Sequence, residues 1–123
     1  MFEVTVEEKF ASGHALRNYR GKCENVHGHN YRVQVALHGE TLDQTGLLVD
    51  FVELKKVLGA IIDRMDHRFL NDVPPFDMLN PSAENMARYI FEELVAGLPA
   101  GSPARVAWVR LWETDSCSAT YRG

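Results

Sequence analysis

Five histidines stand in this chain of 123 residues, and four of them lie beside other residue types that ligate metals or move protons. His27 and His29 are two apart in an H-G-H triplet. On a strand, residues i and i+2 share a face, so both imidazoles can converge on one ion. Gly28 between them carries nothing on the opposite face and lets another backbone approach. His14 follows Ser12-Gly13, where a first strand gives way to loop, and antiparallel pairing can bring it alongside. Three neutral imidazoles with a free fourth position are the ligand set of a catalytic zinc site. An isolated H-x-H also fits two ordinary solvated strand residues, and it is the third histidine that favours a metal.

Cys23, four residues before His27, opens two readings. With His14, His27 and His29 it can close a four-ligand site that stabilises the fold and does no chemistry. Off the metal it can act as a nucleophile or base, if cations such as Arg17, Arg20 and Lys22 lower its thiol pKa. Spacing alone supports both. Asp66-His67 places a carboxylate beside an imidazole, which fixes the tautomer and raises basicity for proton transfer. The same pair also fits a histidine resting at the negative end of a helix dipole. Glu113 shares strand parity with Val109 and Leu111, so its carboxylate points where apolar groups point. Buried there it needs a partner, which a ligand with N–H donors supplies; at a strand end it simply reaches water. His38 alternates with exposed positions and reads as a solvated strand residue.

These residues must be carried by a small set of elements. Residues 2–7 alternate, with Phe2, Val4 and Val6 opposite Glu3, Thr5 and Glu7, the period of a half-exposed strand. Arg17 to Asn25 is a polar loop. Residues 29–38 alternate again, with Tyr31, Val33, Val35 and Leu37 on one face, and the two strands are expected to pair antiparallel. From Asp50, a suitable N-cap, Phe51, Leu54, Val57, Leu58, Ile61, Ile62 and Met65 form one apolar helical stripe, predicting a helix to about Asp66 or His67. The stretch to Asn80 is irregular. A second helix starts near Pro81, capped by Asn80 or Ser82, carries the stripe Met86, Ile90 and Leu94, and stops at Gly97 and Pro99. Residues 105–113 are a third strand, with Val106 and Trp108 facing one way and Val109 and Leu111 the other, and 117–122 a short fourth. Two strands, two helices and two strands predict an α+β sandwich with the helices on one face of the sheet.

Composition sets the outer limits. With 46% apolar, 24% charged and 10% aromatic residues, the chain is that of an ordinary globular domain, expected to span 1–123 as one unit. A net charge of -4 argues against a nucleic-acid partner. No run approaches the ~18 apolar residues of a membrane span, and the acidic, alternating start does not read as a signal peptide. Cys23 and Cys117 are then expected to be reduced thiols in the cytoplasm, with no role assigned to Cys117.

Together these motifs resemble the 6-pyruvoyltetrahydropterin synthase / 6-carboxytetrahydropterin synthase family. The resemblance runs through FASGH around His14, CENVHGHNY at 23–31, LLVDF at 47–51, MDHRFLN at 65–71, NPSAEN at 80–85 and ETDSCSATY at 113–121. It implies the tunnelling fold, a four-stranded antiparallel sheet with two helices on one face, whose trimers close into a barrel and pair into hexamers with active sites between subunits. It implies zinc on His14, His27 and His29. It also implies Cys23 as the catalytic thiol, Asp66 and His67 as its proton-relay partners, and Glu113 as the residue gripping the pterin ring. Ser82 stands where relatives often carry threonine, at a pterin contact.

The implied substrate is 7,8-dihydroneopterin triphosphate. Arg17, Arg20, Lys22, Arg64 and Arg68 lie beside the candidate catalytic residues in sequence, and some of them are expected to hold the triphosphate. Three residues between the cysteine and H-G-H resemble the bacterial 6-carboxytetrahydropterin synthases of the queuosine pathway. Animal pyruvoyl-forming enzymes usually have a longer gap. Glu24 directly after Cys23 resembles relatives that form 6-hydroxymethyl-dihydropterin for folate, as an alternative base, and the combined C-E-x-x-H-G-H pattern resembles dual-function members. A 6-pyruvoyltetrahydropterin synthase or a dual-function enzyme is the alternative reading. A zinc-stabilised module without catalysis is the reading of a different class.

Overall fold

The computed structural model describes residues 1–18 and 25–123. Cys23, Glu24, Arg20 and Lys22 therefore lie outside the described residues.

The alternation at the N-terminus runs further than residue 7. Strand β1 spans Phe2–His14 and pairs antiparallel with β2, His27–Gly39, in unbroken register from Phe2 opposite Gly39 to His14 opposite His27. His14 is thus a strand residue, although Ser12-Gly13 reads as a loosening of the backbone. Val6, Phe10, Ser12 and His14 of β1 are buried on one face, against Tyr31, Val33, Val35 and Leu37 of β2. Glu8 falls on the same side as these apolar residues, and Lys55 answers its charge at 3.9 Å.

Helix α1, Phe51–Asp63, starts where Asp50 accepts a hydrogen bond from the Val52 N–H at 2.8 Å. Leu54, Leu58, Ile61 and Ile62 are its buried stripe. Phe51, in the first turn, stays half exposed instead of joining them. The helix ends three residues before Asp66. The stretch expected to be irregular contains a two-residue strand β3, Arg68–Phe69, and a single 3₁₀ turn, Leu70–Asp72. Helix α2, Ala83–Gly97, is capped by the Ser82 side chain, which accepts from the Asn85 N–H at 3.2 Å. It buries Met86, Ile90 and Leu94 together with Ala83, Ala87 and Phe91. A Cβ on Gly97 would fall 2.8 Å from Val57 Cγ1, so the absence of a side chain there permits the close approach of the two helices.

Strand β4, Arg105–Thr114, and strand β5, Cys117–Arg122, complete the sheet in the order β3-β1-β2-β4-β5. Among the described residues the sheet is therefore five-stranded and mixed, not four-stranded and antiparallel, because β3 adds to β1 in parallel at Ser12 and Gly13. The helices share one face with the core; the other face is polar. A bulge corrects the expected parity of β4: Leu37 is opposite Val106 but Ala36 is opposite Trp108. One extra residue on β4 sends Val106 into the core with Val109 and Leu111, while Trp108 turns outward and donates its indole N–H to Glu3 at 3.2 Å. No helix among the described residues is long and apolar enough to cross a membrane.

Candidate metal centre and its surroundings

The pairing of β1 with β2 ends on His14 opposite His27, and His29 follows on the same face. The three rings lie with centroids 4.5, 5.0 and 4.8 Å apart and planes inclined by 69°, 86° and 89°, so each presents an edge to the others. One nitrogen from each lies within 4.8 Å of the other two.

Hydrogen bonds decide which nitrogens these are. His14 Nδ1 is 2.7 Å from the Pro81 carbonyl oxygen, and His27 Nδ1 is 2.7 Å from that of Asn25. A carbonyl only accepts, so both Nδ1 atoms carry the proton and both Nε2 atoms present lone pairs. Those two Nε2 atoms face each other at 2.9 Å, a contact that two lone pairs do not favour. The Nε2 of His29 is buried with no hydrogen-bond partner among the described residues. A cation resolves all three. Nitrogens sharing a tetrahedral ion at about 2.0–2.1 Å stand roughly 3.3 Å apart, close to the 2.9 Å between His14 and His27, with the His29 nitrogen within 4.8 Å of both. Burial pushes the pKa of His14 and of His29 below the ordinary value, the Glu113 charge opposing it in both, which favours the neutral form that binds metal. The residues present fit a divalent ion.

Gly28 sits opposite Gly13, but a Cβ on it would meet Ser12 O at an ordinary 3.6 Å, so close backbone approach does not explain the glycine.

Glu113 stands beside this cluster, Oε1 3.7 Å from His14 Nε2, with its side chain 28% exposed. The irregular register between Trp112 and Thr114 brings it to the end of β4. It also lines a hollow of about 370 Å³, together with Ala83 and Glu84 at the start of α2 and Cys117 to Thr120 of β5. Tyr31, fully buried, brings its hydroxyl to 3.2 Å from His14 Nδ1, and burial and the Glu113 charge push its pKa far up, so it stays a neutral phenol.

Asp66 and His67 are also brought together, on the edge of β1 away from β2. They dock on the free edge of β1: the Ala11 N–H donates to Asp66 Oδ1 at 3.0 Å, and the His67 N–H to the Ala11 carbonyl at 2.6 Å. His67 takes the left-handed conformation, φ 57°, and its ring Nδ1 lies 2.9 Å from Asp66 Oδ1. The Ala11 N–H, then His67, hold the Asp66 carboxyl below the usual range. The His67 side chain is 82% exposed, and it lines, with Arg68 and His29, an open depression of about 550 Å³. The helix-dipole reading of His67 does not hold, since α1 has already ended at Asp63.

Ser82 is placed as a helix cap. Arg17 is not free for an anion: its guanidinium donates to the carbonyls of Leu79, Asn71 and Phe76. Arg64 reaches Tyr89 at 2.9 Å and Glu93 at 3.4 Å, on the helix surface. Arg68 alone of the described candidates lines the depression.

Three contributions went unread in the sequence. Tyr31 is hidden in an apolar pattern, and the Pro81 carbonyl leaves no side-chain signal. Asn71 and Asn80 clamp the backbone leaving β1: each side chain both accepts from and donates to it, at Ala15 and Arg17 respectively. Two asparagines in the irregular stretch between the helices would have been the only hint.

Residues 3–123 match the family model described as 6-pyruvoyl tetrahydropterin synthase. The chain belongs to this family. It is 39% identical over 119 residues to the human 6-pyruvoyl tetrahydrobiopterin synthase, covering 94% of this chain and 80% of that one. It is 30% identical over 144 residues to the 6-carboxy-5,6,7,8-tetrahydropterin synthase of Haemophilus influenzae, covering 99% of each. Among solved structures, the Caenorhabditis elegans 6-pyruvoyl tetrahydropterin synthase superposes with a TM-score of 0.86 at 35% identity, over 100% of this chain and 97% of that one. The chain is therefore a pterin synthase of this family, and three of its histidines can hold a metal ion.

Proposed function

We propose that the protein is a zinc-dependent 6-carboxy-5,6,7,8-tetrahydropterin synthase. It converts 7,8-dihydroneopterin triphosphate to 6-carboxytetrahydropterin with release of acetaldehyde and triphosphate, one water being consumed to balance the atoms. The observation that carries a metal-assisted reaction is the convergence of His14, His27 and His29 with one buried nitrogen unpartnered. Bound zinc supplies Lewis acidity, lowering the pKa of substrate hydroxyls and polarising a carbonyl as it forms.

The chain's own residues do the rest. Glu113 accepts hydrogen bonds from the amino and ring N–H groups of the pterin, which occupies the hollow between α2 and β5. Ser82 lies next to that hollow as a further contact. Cys23 takes and returns protons at the side-chain carbons, and His67, oriented by Asp66, exchanges them with it. His67 is largely exposed and lines, with His29, an open depression that leaves room for a second subunit to complete the site. The free edges support the same arrangement: β3 covers only Ser12 and Gly13 of β1, and β5 has no outer neighbour among the described residues. A homo-oligomer, trimer-based and hexameric, would close both edges.

The branch rests on the three-residue gap between Cys23 and His27. The higher identity to the human pyruvoyl enzyme favours the second reading, a 6-pyruvoyltetrahydropterin synthase, and Glu24 would add hydroxymethyl-dihydropterin formation. Incubating zinc-loaded protein with 7,8-dihydroneopterin triphosphate and weighing the products by mass spectrometry separates these. Acetaldehyde with a carboxylated pterin is expected. A pyruvoyl or hydroxymethyl pterin instead overturns the carboxy branch, and no turnover with zinc bound would leave a structural zinc module.

A further inference from the structure

Tyr31 is the one core-facing residue of β2 beyond the histidines that carries a polar group. Its neighbours on that face, Val33, Val35 and Leu37, are as fully buried and wholly apolar. The ring stacks on Phe10 with centroids 5.0 Å apart, a contact phenylalanine would make equally well. Packing therefore accounts for the ring and leaves the hydroxyl unexplained.

That hydroxyl lies 3.2 Å from His14 Nδ1, the same nitrogen that Pro81 O holds at 2.7 Å. The carbonyl can only accept, so the N–H is on Nδ1 and the Tyr31 oxygen takes a second share of it. Two acceptors from different elements, β2 and the segment before α2, then define the plane of the His14 ring. One acceptor alone would let the ring turn about its bond to Cβ and swing Nε2 off the point where the other two histidines converge.

We propose that Tyr31 is a positioning residue: its hydroxyl, with the Pro81 carbonyl, locks the His14 imidazole in the orientation that binds the metal. This rests on reading His14, His27 and His29 as a metal site. Partners of this kind typically change metal affinity by about 10–100-fold.

The test is zinc affinity, measured by competition with a chromophoric chelator, for the full chain, for Tyr31→Phe and for His14→Ala. It is run beside thermal unfolding of the metal-free proteins. Tyr31→Phe is expected to unfold like the parent without metal yet bind zinc at least about tenfold more weakly. The absorption bands of the cobalt-substituted form should shift as His14 tilts. An unchanged zinc Kd overturns the proposal, and an unchanged Kd with a lowered unfolding temperature assigns the hydroxyl to packing alone. If Tyr31→Phe fails to fold, 3-fluorotyrosine at position 31 keeps the ring and weakens the oxygen as an acceptor. A smaller loss of affinity is then expected, and none overturns the idea. Zinc binding by His14→Ala as tight as the parent's would instead sink the metal-site reading, independently of Tyr31.

Discussion

His29 and His38 belong to the same strand and have opposite fates. His38 faces the polar side of the sheet, where its Nε2 meets Glu3 Oε1 at 2.6 Å. That contact, and the Trp108 indole N–H after it, hold the Glu3 carboxyl below its ordinary pKa. The rest of that face is similarly closed: Arg32 lies 3.7 Å over the Trp112 ring and 3.3 Å from Glu7, and Arg110 Nε donates to Thr120 at 2.8 Å. His29 faces the core, and its Nε2 has no partner among the described residues. Leaving a buried polar atom unpaired costs about 1–3 kcal/mol, so a fold keeps one where a ligand fills it. Unmet bonding capacity, and not histidine as such, marks the site.

The largest test of that contrast is His29→Ala. It should abolish stable zinc retention, from about one ion per chain to none by elemental analysis, since two imidazoles alone do not make a closed ligand set. His38→Gln should leave metal content and turnover unchanged, and a loss of metal there would erase the distinction. Next in size, His67→Ala should lower kcat by about 10²–10⁴-fold in steady-state assays while zinc stays bound. Zinc lost together with activity would move His67 from proton transfer to the metal.

A smaller effect concerns pH. Burial lowers the pKa of His14 and His29 below the ordinary 6.5. Above that value both folded and unfolded chains carry these histidines neutral. As pH falls through it, the unfolded chain takes up protons that the folded sites refuse, so the metal-free protein loses stability. Its urea midpoint should therefore drop between about pH 7.5 and about pH 5.5. The drop should be shallower in His14→Ala, and an equal slope in both would show that burial does not govern these imidazoles.

Much of the site can be read from the chain order. H-G-H on an alternating strand already places His27 and His29 on one face, because pleating imposes a period of two. The cap residues Asp50 and Ser82 and the stripes of both helices are legible for the same kind of local reason. Glu113 could be flagged as a carboxylate in apolar parity, and so it lies, beside the histidines. The end of α1 was less legible: Met65 continues the apolar period but is buried by the turn after the helix. The facing of Trp108 was not legible at all, because a bulge is one residue of mismatch between strands that are far apart in sequence.

Chain order fixes which residue types are available for metal and proton chemistry, the patterns behind four of the strands and both helices, and the family to which the chain belongs. Tertiary structure decided that His14 continues β1 to meet His27, that the Pro81 carbonyl sets the His14 tautomer, and that Asp66-His67 docks on the edge of β1 at Ala11. It also decided that Arg17 spends its guanidinium on carbonyls. The reason is physical: periodicity is a property of neighbours along the chain. The hydrogen bonds that hold the His14 ring on Pro81 and Asp66 on Ala11 join groups more than fifty residues apart, and only the folded backbone brings them within reach.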